Sequence, residues 1–221
     1  MKDYSAKSGE RYNTKDTNLI GGDHLWRYRY VASRLNSGDA RLFGADVFCG
    51  SGYGSSLVAT ATHASILAID GSAESIELAS SMYQDPAIIW ACKLFPFDLP
   101  DACFDFVMSM ESIEHVKDFE TFFWVLVKSI KPGGQLFISV PNETVMPYTD
   151  YKWHYRHFVP SEVRALATKY GLREVFAAST RCQLLKNGKA TVFYPYQMTN
   201  DKPLALDEGD TMFFEFNKDA P

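Results

Sequence analysis

Ala45-Asp46-Val47-Phe48-Cys49-Gly50-Ser51-Gly52-Tyr53-Gly54 is a short apolar strand that ends at a cysteine and runs into three glycines at alternate positions, with a helix opening at Ser55. Glycine at 50, 52 and 54 lets the backbone take positive φ and approach a ligand that any Cβ would hold off. The helix that follows points its unsatisfied N–H groups at the same place. Farther along, Ile66-Leu67-Ala68-Ile69 closes on Asp70, a carboxylate at a strand end where it can accept from both hydroxyls of a ribose. Strand, glycine turn, helix and acidic strand end together predict a nucleotide-binding corner.

The glycine spacing separates two cofactors. A dinucleotide fingerprint, G-x-G-x-x-G, would need glycine at 55, where this chain has Ser55. The pattern G-x-G-x-G, with Asp46 inside the strand, resembles the first motif of the class I S-adenosylmethionine-dependent methyltransferases. The resemblance implies S-adenosylmethionine as cofactor, with Asp46 orienting the glycine loop or meeting the methionine end and Asp70 holding the ribose. It also places Cys49, Gly50, Ser51, Gly52, Gly54, Gly71, Lys93, Leu94, Met110 and Glu111 around the cofactor. Many relatives carry an Asp for the adenine amino group after the third strand. Cys92-Lys93 stands there in this chain, which leaves adenine to backbone groups and to apolar contacts from Leu94 and Phe95.

A chain of 221 residues, 46% hydrophobic and 14% aromatic, suits one α/β domain with a full core. Its net charge of −5 argues against a nucleic-acid polyanion as the main partner. No apolar run of about 18 residues and no secretory leader are expected, so the reading has no membrane partner. Four cysteines without a C-x-x-C pair read as buried small apolar residues of a cytoplasmic protein. The expected organisation is a flexible leader over 1–20, the cofactor-binding domain over 21–197 and a polar, acidic tail over 198–221. Within that tail Met212-Phe213-Phe214-Glu215-Phe216 would cover a sheet edge or wrap a partner.

Leu25, Tyr28, Val31 and Leu35 recur at helical spacing after Asp23, a candidate N-cap. Ser8-Gly9-Glu10-Arg11 followed by Asp23-His24-Leu25-Trp26-Arg27-Tyr28 resembles the leader of bacterial methyltransferases linked to polysaccharide synthesis. That likeness implies that His24 and Arg27 reach the cofactor carboxylate or the substrate; the alternative is the solvated polar face of a packing helix. Strand and helix then alternate: a helix over 55–62, strand 66–70, a helix from Ser72 to Tyr83, strand 87–92, strand 104–110, a helix over 119–131 stopped by Pro132-Gly133-Gly134, strand 135–140 and a helix over 161–170. Strands 173–180 and 191–196, joined through Lys186-Asn187-Gly188-Lys189, would complete the sheet. The fold so predicted is α/β and Rossmann-like, a seven-stranded, mostly parallel sheet with helices on both faces and an antiparallel final strand.

Chemistry concentrates in Glu111-Ser112-Ile113-Glu114-His115, directly after the fourth strand. If this segment is helical, 111, 114 and 115 are i, i+3 and i+4 and share a face. Two carboxylates and an imidazole could hold a divalent ion. Alternatively His115 alone could serve as general base for a hydroxyl, with Glu111 and Glu114 orienting it. The bland alternative for Glu114 is a carboxylate that stabilises a helix N-terminus. E-x-x-E-H resembles the metal-binding pattern of the ubiquinone-synthesis O-methyltransferases and of the small-RNA 2′-O-methyltransferases. By that likeness His154 or His157, in Trp153-His154-Tyr155-Arg156-His157-Phe158, would be the fourth ligand with Glu111, Glu114 and His115, His154 being the better positional match; the bland alternative for His157 is a packed ring. The implied activity is O-methylation of a small-molecule or saccharide hydroxyl. The competing reading is an S-adenosylmethionine-binding protein of the same fold with a regulatory or non-methyl-transfer role.

Overall fold

The computed structural model describes residues 12–35, 41–181, 185–186, 189–190 and 203–220. Its elements in chain order are α1 (Gly22–Leu35), β1 (Phe43–Val47), α2 (Tyr53–Thr62), β2 (Ser65–Asp70), α3 (Ala73–Met82), β3 (Ile88–Cys92), β4 (Phe104–Met110), α4 (Phe119–Ser129), β5 (Ile130–Pro141), α5 (Pro160–Lys169), β6 (Leu172–Thr180), the two-residue strands β7 (Leu185–Lys186) and β8 (Lys189–Ala190), and β9 (Thr211–Lys218). Seven strands form one sheet in the order β3-β2-β1-β4-β5-β9-β6. The first five are parallel, and β9 runs antiparallel to both its neighbours. The expected Rossmann-like sheet is present.

Its core lies on both faces, as the near-continuous apolar strands require. Phe122, Phe123 and Leu126 of α4 pack with Val163 and Leu166 of α5 over one face. Tyr28 and Val31 of α1 with Val58 and Ala59 of α2 cover the other. Parallel pairing of Asp46 with both Ala68 and Met108 brings the carboxyl ends of β1, β2 and β4 side by side. Ligands of open α/β sheets bind at that edge.

Several expectations change. The stretch expected as a C-terminal tail supplies β9, which is inserted between β5 and β6. Met212, Phe213, Phe214 and Phe216 are fully buried, with Phe214 and Phe216 in the cluster under α4 and Phe213 in the one under α1. A five-residue run so apolar suits a strand covered on both faces, but its polar flanks hide it in sequence. Glu215 in its middle is buried too, and accepts from Tyr30 Oη–H (2.7 Å), Arg34 Nε–H and Gln135 Nε2–H. It thereby ties α1 to the sheet. Strand 191–196 and Asn187-Gly188 lie outside the described residues; Lys186 and Lys189 on either side pair antiparallel in a separate ribbon of β7 and β8.

The helix over 119–131 stops at Ser129, and Lys131-Pro132-Gly133-Gly134 bulges from the β4–β5 pairing. A Cβ on Gly134 would sit 2.7 Å from the Asp105 carbonyl, which accounts for glycine there. Asp23 is no N-cap, since it lies inside the first turn of α1, buried and paired with Arg27. Nor are the cysteines uniformly buried: Cys49 is, Cys103 is half-buried, Cys92 is exposed, and Cys182 lies outside the described residues. Among the described residues no helix is long and apolar enough to cross a membrane.

Candidate active site

The glycine corner is held by two carboxylates. Asp70, buried at the end of β2, accepts the Gly50 N–H at Oδ2 (3.0 Å) and the Ser72 N–H at Oδ1 (2.8 Å), joining the loop to the start of α3. Asp46, fully buried in β1, accepts the Ser55 hydroxyl at Oδ2 (2.6 Å), which anchors the first turn of α2. The three glycines serve different ends. A Cβ at Gly52 would strike the Trp90 ring at 2.4 Å and one at Gly54 the Tyr28 ring at 2.1 Å, so the protein's own rings fill those two positions. At Gly50, with φ of 57°, an added Cβ would have no neighbour within 4 Å. Gly50 is thus the open cradle of the corner, beside the Asp70 carboxylate.

The floor is continued by the loop after β3. Lys93 N–H donates to the Asp70 carbonyl (2.9 Å), and the Leu94 side chain lies against Gly71 while remaining half exposed. Cys49 and Met110 are buried beside the loop and at the end of β4. Ser51 donates its hydroxyl to the Tyr12 carbonyl.

Burial pushes the Asp46 carboxyl up from 3.8 to about 7; the Ser55 hydroxyl opposes this and the Asp70 charge adds to it. Between pH about 4 and 7 the folded protein therefore holds a proton that the unfolded chain has released, so stability falls as pH rises through this window. Asp46→Asn keeps a neutral acceptor for Ser55. Its thermal midpoint is expected to gain on wild type steadily across that window, and parallel curves in a pH series of melts would refute the assignment.

Residues 12–20, expected as part of a flexible leader, pack across this corner. Besides the Ser51 bond, Tyr83 donates to the Thr14 carbonyl (3.4 Å), and the Tyr12 ring meets His24 and Tyr53 edge-on. His24 Nδ1 lies 3.1 Å from the Tyr53 hydroxyl, and burial lowers the His24 pKa to about 4 against the pull of Asp23. Arg27 is fully buried, 3.3 Å from Asp23 and Thr180 and 3.8 Å from Glu111. The solvated-face alternative for His24 and Arg27 therefore fails, because both face inward.

The E-x-x-E-H segment does not turn helical at once. Glu111 has φ of 48°, and only Ile113–His115 form a single 3-10 turn. This departure sends Glu111 away from its two companions: it accepts the Ser139 hydroxyl (2.8 Å), faces Arg27 and has the Thr211 hydroxyl at 3.5 Å. Burial raises its pKa, with Arg27 and Ser139 opposing. Glu114 is fully buried, His115 Nε2 lies 3.8 Å from its Oε1, and His115 Nδ1 lies 3.0 Å from the Trp153 carbonyl. The His154 ring stands edge-on to His115 at 4.8 Å. Donor atoms of Glu114, His115 and His154 all come within 4.8 Å of one another. Glu111 is not in that group, so among the described residues the expected set of four ligands reduces to three. Ser139, Thr180 and Thr211, which complete the surroundings of Glu111 and Arg27, carry no sequence signal; each is a small hydroxyl residue within a strand.

Residues 45–138 match the methyltransferase domain family. The chain is 30% identical over 167 residues to a ubiquinone biosynthesis O-methyltransferase of Xanthomonas euvesicatoria, covering 66% of this chain and 68% of that protein. It is 35% identical over 92 residues to the mitochondrial ubiquinone biosynthesis O-methyltransferase of Mus musculus, or 38% of this chain. That alignment spans a quarter of the mouse protein, and one to a Mycobacterium tuberculosis methyltransferase spans 55% of its length. A solved S-adenosylmethionine-dependent methyltransferase from Mesorhizobium loti shares the fold, with a TM-score of 0.66 at 14% identity over 86% of this chain and 97% of that one.

Proposed function

The chain belongs to the class I S-adenosylmethionine-dependent methyltransferases, and from that premise we propose that it methylates a hydroxyl oxygen on a small molecule or saccharide, with His115 as the general base. The observation that carries this reading is His115 itself. It stands directly after β4, beside the strand that leads into the glycine corner, half-buried, with Nδ1 turned to the Trp153 carbonyl. A carbonyl only accepts, so Nδ1 bears the proton, and in the neutral ring Nε2, 3.8 Å from Glu114 Oε1, carries the lone pair that would take one from an acceptor hydroxyl. The ubiquinone O-methyltransferase likeness supports oxygen as the accepting atom.

The corner suits the cofactor, since Gly50 leaves the space a Cβ would fill and Asp70 offers a buried carboxylate beside it. Gly50, Ser51, Asp70, Gly71 and Leu94 would hold the nucleoside, and His24 and Arg27 would face its amino-acid end. When bound, S-adenosylmethionine supplies a methyl group already activated as a sulfonium. The protein's share is then to align the acceptor oxygen, exclude water and remove the hydroxyl proton; alignment alone can be worth about 7–11 kcal/mol. Tyr12, Tyr53 and α1 close the corner against water. A second reading is favoured by one observation, the convergence of Glu114, His115 and His154. One carboxylate and two imidazoles suit a divalent ion, which would lower the pKa of a bound hydroxyl in place of the base.

Methyl-labelled S-adenosylmethionine offered with phenols, saccharides and amines tests the proposal. Label is expected in methyl ethers. Transfer to nitrogen alone, or cofactor binding with no transfer at all, would overturn it. Dialysis against EDTA separates the two readings: turnover survives if His115 acts alone, and is lost and restored by Mg²⁺ or Mn²⁺ if an ion does the work.

A further inference from the structure

Tyr148, Tyr151, Trp153 and Tyr155 crowd the stretch that runs beside His115, and the structure divides them into two pairs. Tyr148 and Trp153 are half-buried and engaged within the protein. The Tyr148 hydroxyl donates to the His154 carbonyl (3.1 Å), and the Lys152 ammonium lies over the Trp153 ring, 4.2 Å from its centre. Tyr151 and Tyr155 instead stand 39% and 41% exposed. Their main chain is nonetheless fixed. His154 N–H donates to the Tyr151 carbonyl (3.1 Å), and Tyr155 N–H donates to the carbonyl of Glu114 (2.7 Å), the neighbour of His115. Asp150, with φ of 54°, makes the turn from which Tyr151 leaves. The Tyr151 ring meets His154 at 4.8 Å between centres, and His154 meets His115 at 4.8 Å, so a row of rings runs from the surface to the proposed base.

We propose that Tyr151 and Tyr155 form the wall on which the methyl acceptor lies, and that they select an acceptor whose hydroxyl is carried on a ring with an apolar face, the face of a phenol or the C–H face of a saccharide. The proposal rests on the reading of His115 as the place where the hydroxyl proton is taken. A single exposed tyrosine is ordinary. Two of them, four residues apart on a stretch whose main chain is bonded to the turn that carries His115, place ring surface in solvent at the point where an acceptor comes in. Tyrosine suits that task, because it offers a large, stiff contact surface with only two torsions to order. Ring against ring also gains beyond the area covered when the two stack offset or meet edge to face. An acyclic acceptor has no such face to offer and gives up more torsional freedom on binding.

The test offers the full chain methyl-labelled S-adenosylmethionine with three probes in turn: catechol, methyl β-glucopyranoside and the acyclic glycerol. Label is expected on a ring and not on glycerol, and which ring takes it separates the phenol from the saccharide. For that ring, Tyr151→Ser and Tyr155→Ser should each raise KM about 10-fold while KM for S-adenosylmethionine and the thermal midpoint stay at wild-type values. Tyr151→Phe and Tyr155→Phe keep the ring and should keep KM within about twofold of wild type. Glycerol labelled as readily as either ring, or neither ring labelled, overturns the proposal. So does an unchanged KM in both serine variants, or an equal loss in the serine and phenylalanine variants, which would assign the effect to the hydroxyl. Failure of the underlying reading looks different: His115→Ala would turn over normally while the serine variants still raised KM for the ring.

Discussion

Asp70→Ala is expected to weaken S-adenosylmethionine binding by about 100-fold or more. The carboxylate holds the Gly50 and Ser72 amides at the two ends of the corner, and the same oxygens have lone pairs left for ribose hydroxyls. Hydrogen bonds to a charged acceptor are worth about 1.5–3 kcal/mol each. At a factor of ten per 1.4 kcal/mol, losing two of them gives the stated effect. Because the loop is released as well as the ligand, S-adenosylhomocysteine should lose affinity to the same degree. Asp70→Asn retains one good acceptor and should fall between wild type and alanine. Titration calorimetry settles the matter; an unchanged Kd in the alanine variant would mean that the nucleoside does not sit against this carboxylate.

His115→Ala is expected to lower kcat by about 10²–10⁴-fold, the usual range for removal of a general base, while leaving cofactor affinity unchanged. Split behaviour of this kind follows from the geometry. His115 lies in the turn after β4, where it meets Glu114, Trp153 and His154, residues apart from the glycine corner. Loss of kcat with intact binding would place its contribution in the transition state. Normal turnover would remove both readings of the cluster at once, since the metal reading also uses this imidazole.

How far these residues could be read from the chain depended on how local their cause is. Gly50, Gly52 and Gly54 with Asp46 and Asp70 announced the corner, yet the reason for glycine at 52 and 54 is the Trp90 and Tyr28 rings, which come from another strand and another helix. The pairing of Glu114 with His115 was legible from adjacency. Grouping Glu111 with them was not correct, because a single positive φ at Glu111 replaced the helical spacing on which that grouping depended. Leu25, Tyr28, Val31 and Leu35 marked α1 correctly, whereas Arg27 on the same helix found its partners Thr180 and Glu111 across the fold.

By itself the sequence determined the alternation of strand and helix and the glycine corner, and it marked Glu111–His115 as the candidate site, since hydrophobic period, glycine backbone freedom and strand-end carboxylates act within a few turns of chain. Tertiary structure alone decided that β9 enters the sheet between β5 and β6, that Glu111 turns to Ser139 and Thr211, and that the His154 and His157 rings meet nitrogen to nitrogen. Those outcomes depend on which distant groups meet when both faces of the sheet are covered, and a one-dimensional pattern carries no record of that meeting.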